Sequence, residues 1–191
     1  MNIFLESFSN SITVKNKCIE TGFESLESIG ASIVSSLSNG GTLFLCGNGG
    51  SAADAQHLSA ELLVRLRPHI NRRSLPAISL ALDTSTITAC ANDYSFEDLF
   101  SRNLEALGRA GDCLLAISTS GNSENIIRVL KTAKKIGVGA YSFLGGNGGE
   151  CLKESEISFL VPSSITSLVQ EVHITAGHAL MEFVENELCD L

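Results

Sequence analysis

The chain has 191 residues, 44% of them hydrophobic and 18% charged, with a formal net charge of −8. That length and balance suit one packed domain and exclude a disordered chain. The acidic balance, with no basic stripe, excludes a duplex nucleic-acid binder, whose affinity comes from neutralising phosphates.

No apolar run reaches the roughly 18 residues of a membrane span, and the N-terminus lacks the basic and long apolar regions of a signal peptide. A cytoplasmic protein with no membrane partner is expected. Six cysteines, at 18, 46, 90, 113, 151 and 189, are widely separated without a CxxC pair. They read as reduced thiols, with Cys46 and Cys113 packed as small hydrophobes in apolar runs.

Residues 2 to about 38 read as helix. Phe4, Phe8 and Ile12 recur four apart, and Ile19, Phe23, Leu26, Ile33 and Leu37 continue at helical spacing. Gly22 and Gly30 mark where it can break, and Asn39-Gly40-Gly41 ends it. Its extra apolar face has two readings, packing between subunits or packing against its own sheet, because amphipathicity says only that a face is buried.

Beyond residue 41, short apolar runs alternate with helical patterns. The spacing predicts strands at 42–46, 77–81, 113–117, 140–144 and 157–161, and helices at 51–64, 85–91, 95–108, 122–136 and 164–188. Runs that are apolar throughout suit strands covered on both faces. The alternation predicts an α/β fold with a doubly wound, five-stranded parallel sheet flanked by helices. Residues 1–191 form one expected domain, with N-terminal helices in 1–40 and the α/β core in 41–191. In such a sheet a ligand sits at the C-terminal strand ends, near the point where the strand order reverses.

Two segments share one plan: an apolar run, a tight Gly/Ser loop, then a helix start. In the first, Thr42 to Cys46 leads into Gly47, Asn48, Gly49, Gly50 and Ser51. In the second, Cys113 to Ile117 leads into Ser118, Thr119, Ser120, Gly121, Asn122 and Ser123. Such loops bring backbone N–H groups and hydroxyls to a helix N-terminus, where anions are favoured. The plainer reading is a capped turn. No lysine follows the glycines, so this is no P-loop. Gly47, Gly49 and Ala52 do match G-x-G-x-x-[GA], which leaves a dinucleotide reading open, with Asp83 as the ribose partner later than the usual spacing.

The first loop runs into the helix carrying His57 and Glu61. Four apart, they share a face and read as metal chelators, as an acid–base pair, or as a surface pair. The last helix carries Gln170, His173 and His178. Gln170 and His178 lie roughly 80° apart around it and about 12 Å along it. His178 among Ile174, Ala179, Leu180 and Phe183 also reads as a core histidine. His173 reads as structural or exposed, and His69 as without a role. The stretch from Arg65 to Arg73, with four Arg and one His, reads as a solvated connection, with one Arg available to an anionic ligand.

Together these segments resemble the sugar isomerase (SIS) domain family, and within it the phosphoheptose isomerases. The residues that carry the resemblance are Cys46 to Ser51, His57 to Glu61, Asn92-Asp93, Gly111-Asp112, Ile117 to Ser123, and Gln170 to His173 through His178. The resemblance implies interconversion of sedoheptulose 7-phosphate and glycero-manno-heptose 7-phosphate for nucleotide-activated heptose. It implies a homotetramer with one zinc per subunit, held by His57, Glu61, Gln170 and His178. Glu61 and His178 would transfer protons. Asn48, Gly49, Gly50, Ser51, Glu61, Asn92, Asp93, Ser118, Thr119, Ser120, Ser123 and Gln170 would bind substrate. Ser167 stands where an Asp is expected, and Arg65 lies one turn beyond Glu61. Two further readings remain: a regulator of a replication initiator on the same fold, expected to lack the acid–base pair, and an NAD-dependent oxidoreductase.

Overall fold

A computed structural model describes residues 2–81 and 83–189; Met1, Leu82, Asp190 and Leu191 of the expected 1–191 span lie outside the described residues. The elements run α1 (Ile3–Thr21), α2 (Glu24–Ser38), β1 (Leu43–Gly47), α3 (Gly50–Leu63), β2 (Ala77–Ser79), α4 (Thr84–Asp93), a 3-10 turn (Phe96–Asp98), α5 (Leu99–Leu107), β3 (Cys113–Ser118), α6 (Glu124–Ile136), β4 (Gly139–Gly145), α7 (Gly149–Glu154), β5 (Ile157–Val161) and α8 (Thr166–Leu188). All strands pair in parallel, in the order β2-β1-β3-β4-β5. The expected α/β fold with a five-stranded, doubly wound sheet is therefore present.

Alternate strand residues face two separate cores. Leu43, Leu45, Cys113, Leu115, Ile117, Tyr141 and Phe143 pack against α1, α2, α3 and α8. Phe44, Cys46, Leu114, Ala116, Ala140 and Leu144 pack against α4, α5, α6 and α7. This explains strands that read as unbroken apolar runs: with helices on both faces, neither face tolerates polar alternation.

The long N-terminal helix breaks at Gly22, whose φ is 88°. Gly30 stays inside α2 because it is a close-packing site: a Cβ there would lie 2.6 Å from the Phe183 ring. The edge strand β2 stops at Ser79, two residues short of the spacing, because the chain turns at Leu80, whose carbonyl accepts from the Asn103 side chain. The short helix α7 has no sequence signal, since it opens on two glycines, Gly148 and Gly149, and makes fewer than two turns. Helix α1 buries only Val14 and Cys18. Ile3, Phe4, Leu5, Phe8, Ile12 and Ile19 are each more than half exposed on its surface. All six cysteines are free thiols, and five are buried. No helix among the described residues is long and apolar enough to cross a membrane.

The sheet order places the chain reversal between β1 and β3. The connections leaving β1 and β3 travel to opposite faces, so a crevice opens between their C-terminal ends. The two Gly/Ser loops occupy those ends.

Candidate active site

The first loop leaves β1 at Gly47 and enters α3 through Gly49, whose φ of 56° gives the chain its turn. The second leaves β3 at Ser118 and enters α6 at Glu124. The two loops are tied to each other. Asn48 Nδ2 donates to Asn125 Oδ1 at 2.8 Å, and Asn125 Nδ2 returns a bond to Asn48 Oδ1 at 2.8 Å. Asn125 is buried in the first turn of α6. The paired amides fix the spacing of two helix N-termini; in α3 the N–H groups of Ser51 and Ala52 bond the carbonyls of Asn48 and Gly49, and in α6 the first bonded N–H is that of Ile126, to the carbonyl of Ser123.

Between the loops lies a cleft of about 290 Å³, lined by Asn48, Gly49, Gly50, Ser51, Ile117, Ser118, Thr119, Ser123, Thr166 and Gln170. The hydroxyls divide the work. Ser118 Oγ accepts from Gly121 N at 3.1 Å, and Ser120 Oγ accepts from Asn122 N at 3.2 Å, so both shape the loop. Ser123 makes no capping bond with its hydroxyl, although it begins α6. Gln170 reaches over the first loop: a Cβ on Gly50 would sit 2.5 Å from Gln170 Nε2. A cleft floored by backbone at two helix N-termini and rimmed by hydroxyls suits the oxygens of a phosphate.

Beside the cleft, α3 and α8 present three convergent ligating groups. His57 Nε2 lies 2.7 Å from His178 Nε2, with the rings edge to face at 4.9 Å between centroids. Glu61 Oε1 lies 3.3 Å from His57 Nε2. One atom from each of His57, Glu61 and His178 falls within a 4.8 Å group able to hold a metal ion. Asp54, one turn before His57, adds a carboxylate whose Oδ2 is buried without a hydrogen-bond partner. Burial pushes the Asp54 carboxyl pKa up, and the nearby His57 and His178 draw it back only in part. An unpartnered carboxylate oxygen beside two imidazoles and a glutamate is a setting that a cation would complete.

The remaining residues singled out in the sequence sit elsewhere. Asn92 and Asp93 close α4, exposed, with Asn92 Nδ2 donating to Asp93 Oδ1 at 2.7 Å; neither they nor Ser120 line the loop cleft. Ser167 is exposed in the first turn of α8, and its neighbour Thr166 faces the cleft instead. His173 is wholly buried, settling the two readings of that residue. Much of the Arg65 to Arg73 stretch is exposed, as a solvated connection is, with Arg65, Pro68, His69, Asn71 and Arg73 at the surface; Arg72 departs from it, with a 2% exposed side chain bound to Glu185, an anion of the same chain. Asp83, the ribose candidate, is occupied as the cap of α4, accepting from Ser85 N and Thr86 N at 3.1 Å each. Sequence reading passed over Asp54, Asn125 and Thr166. Only Asp54 carried a signal, being three residues before His57 and so on nearly the same helix face.

A wider cavity of about 570 Å³ opens at the opposite end of the sheet, beside Asp112, Cys113 and Tyr141. Its one carboxylate, on Asp112, already accepts from Thr42 N at 2.8 Å and Arg109 N at 2.7 Å, and among the described residues no group of three ligating side chains converges there.

The SIS domain family matches residues 7–145 of this chain. The phosphoheptose isomerase of Chlorobaculum parvum is 44% identical over 185 residues, covering 96% of this chain and 88% of that protein. That of Aquifex aeolicus is 46% identical over 183 residues, covering 96% and 95%. Among solved structures, phosphoheptose isomerases from Francisella tularensis (TM-score 0.91, 34% identity, 96% of each chain) and Neisseria gonorrhoeae (TM-score 0.87, 36% identity, 95% and 96%) are similar along nearly the whole length.

Proposed function

The chain belongs to the SIS domain family and is an isomerase of the phosphoheptose type; from that premise we propose that it interconverts sedoheptulose 7-phosphate and glycero-manno-heptose 7-phosphate by proton transfer through an enediol, with zinc held by His57, Glu61, Gln170 and His178. The observation that carries the assignment of roles is the convergence of His57, Glu61 and His178 beside a phosphate-sized loop cleft.

The donor set fits zinc. Two imidazoles and a carboxylate are donors that zinc takes, and the Gln170 amide on the same helix as His178 would supply a fourth. The three donor atoms lie within 4.8 Å of one another, so one ion could be held between them. Glu61 and His57 stand at 3.3 Å, and His57 and His178 at 2.7 Å. When bound, the cation supplies Lewis acidity at the substrate carbonyl.

The chain's own groups do the rest. The N-termini of α3 and α6 and the Thr119 and Ser123 hydroxyls hold the phosphate, and this remote grip places the two reacting carbons near the ligating cluster. Glu61, 17% exposed in its side chain, is the base that takes the C1 proton. His178 on the facing helix relays the proton at C2 and the hydroxyls. Carboxylate and imidazole divide such isomerisations between them because each can hold the proton at a different step.

We read 1–191 as one domain. Its assembly as a homotetramer is supported by the α1 face, where Ile3, Phe4, Leu5 and Phe8 are each more than two-thirds exposed. The six free cysteines suit the reducing cytoplasm. Glu61→Gln and His178→Ala are expected to abolish isomerisation while leaving the fold and assembly intact. Retained turnover in either variant would remove that residue from the proton path.

A further inference from the structure

The cluster is shared between two helices, so its geometry depends on how α3 and α8 are held together. At one point they touch through a glycine. A Cβ on Gly177 would lie 2.6 Å from Leu58 Cδ1, so the helices approach closely next to His178. Apolar packing of Ala55, Leu58 and Leu62 against α8 sets their separation, and apolar contacts are non-directional.

A buried ion cluster adds a directional constraint to that packing. Arg72, from the connection after α3, donates from Nη2 to the carbonyl of Glu61 at 2.7 Å and from Nη1 to that of Leu62 at 2.9 Å. Its Nε donates to Glu185 Oε1 on α8 at 2.6 Å. Arg67 Nε bonds the other oxygen, Oε2, at 2.7 Å. The Glu185 side chain is fully buried. Burial alone would push its carboxyl pKa up, but the bonds from Arg72 and Arg67 outweigh it and hold it below the ordinary range. One planar guanidinium thus joins the last carbonyls of α3 to α8. One of those carbonyls belongs to Glu61, whose side chain is in the cluster. Glu185 lies seven residues beyond His178, about two turns along nearly the same face of α8.

Buried ion pairs are weak stabilisers, since desolvation offsets much of their attraction. We propose that Arg72 and Glu185 are positioning residues, a clamp that fixes the axial register of α3 against α8 and so the convergence of His57, Glu61 and His178. The inference rests on the metal and proton-transfer roles given to those three residues above. Sites of this kind need geometry held to within about 0.5 Å, and groups orienting metal ligands are commonly worth 10- to 100-fold in affinity or activity.

The test compares wild type with Arg72→Met, Arg72→Lys and Glu185→Gln, each checked for cooperative unfolding. Zinc affinity is read by competition with a chromogenic chelator, and kcat and KM for sedoheptulose 7-phosphate are measured separately. The clamp predicts a loss of roughly tenfold or more in zinc affinity and in kcat for Arg72→Met, with KM within about threefold because the loop cleft is untouched. Arg72→Lys, which lacks the fork, recovers only part of it. If Arg72→Met does not fold, Glu185→Gln, which keeps volume and shape, decides on the same readouts. A folded variant with wild-type zinc affinity and kcat overturns the proposal, as does a kcat loss that merely tracks the unfolded fraction. If wild type binds no zinc while kcat still falls at constant KM, the clamp stands and the metal reading fails.

Discussion

His173 makes the fold sensitive to acid. It is wholly buried in α8 against the Phe143 ring, 5.7 Å between centroids, and its ring nitrogens make no well-formed hydrogen bond, with only a weak backbone interaction at Leu144. Burial lowers its pKa from 6.5 to about 4. In the unfolded chain the imidazole takes up a proton as pH falls through 6.5, whereas the folded chain refuses it until near 4. Stability is therefore whole above about pH 6.5 and is lost as pH falls through that window, by about 3 kcal/mol at its lower end. Against a total of about 5–15 kcal/mol for a typical domain, that is a large fraction. The perturbation is His173→Phe, which removes both buried nitrogens and the titration while keeping an aromatic ring beside Phe143. Urea unfolding is followed by circular dichroism from pH 7.5 to 4.5, at one protomer concentration because assembly adds to apparent stability. Comparing the two proteins cancels what the other groups contribute. The stability of wild type relative to the variant should fall by about 2–3 kcal/mol across that range. A difference that does not change with pH would refute the reasoning.

Two other perturbations test separate parts of the account. In Gly50→Ala the new methyl meets Gln170 Nε2 at 2.5 Å, in the floor of the cleft. Turnover should fall by roughly tenfold or more with little change in melting temperature, and wild-type kinetics would show that Gln170 yields freely. Phe4→Glu with Phe8→Glu puts charge on the exposed face of α1, where both rings are more than 70% exposed in one chain. Sedimentation should then show smaller assemblies than wild type, and an unchanged distribution would remove α1 from the interface.

The fold was legible where one physical rule dominated. Doubly covered strands produce apolar runs, and 113–117 and 157–161 fall on β3 and β5 almost residue for residue. Gly22 and Gly30 could not be ranked as breaks from sequence, because Phe183, which holds Gly30 inside α2, lies over 150 residues away. The convergence of His57 with Glu61 follows from i, i+4 spacing, but their meeting with His178 is a tertiary fact of α3 on α8. Asn125, Thr166 and the Arg72–Glu185 clamp were illegible for the same reason. Each is an ordinary polar residue whose partner comes from a distant element, and the basic stretch around Arg72 looked solvated because Glu185 is remote in sequence.

Conversion of sedoheptulose 7-phosphate by the purified protein tests the central claim most directly. The measurement compares zinc-loaded enzyme, chelator-stripped enzyme and Glu61→Gln, with product identified by NMR. The account predicts an aldose heptose 7-phosphate from the loaded enzyme, loss of activity on stripping with recovery on zinc, and none from Glu61→Gln. No conversion by the zinc-loaded wild type would contradict the isomerase assignment, and undiminished activity after stripping would take zinc out of the mechanism.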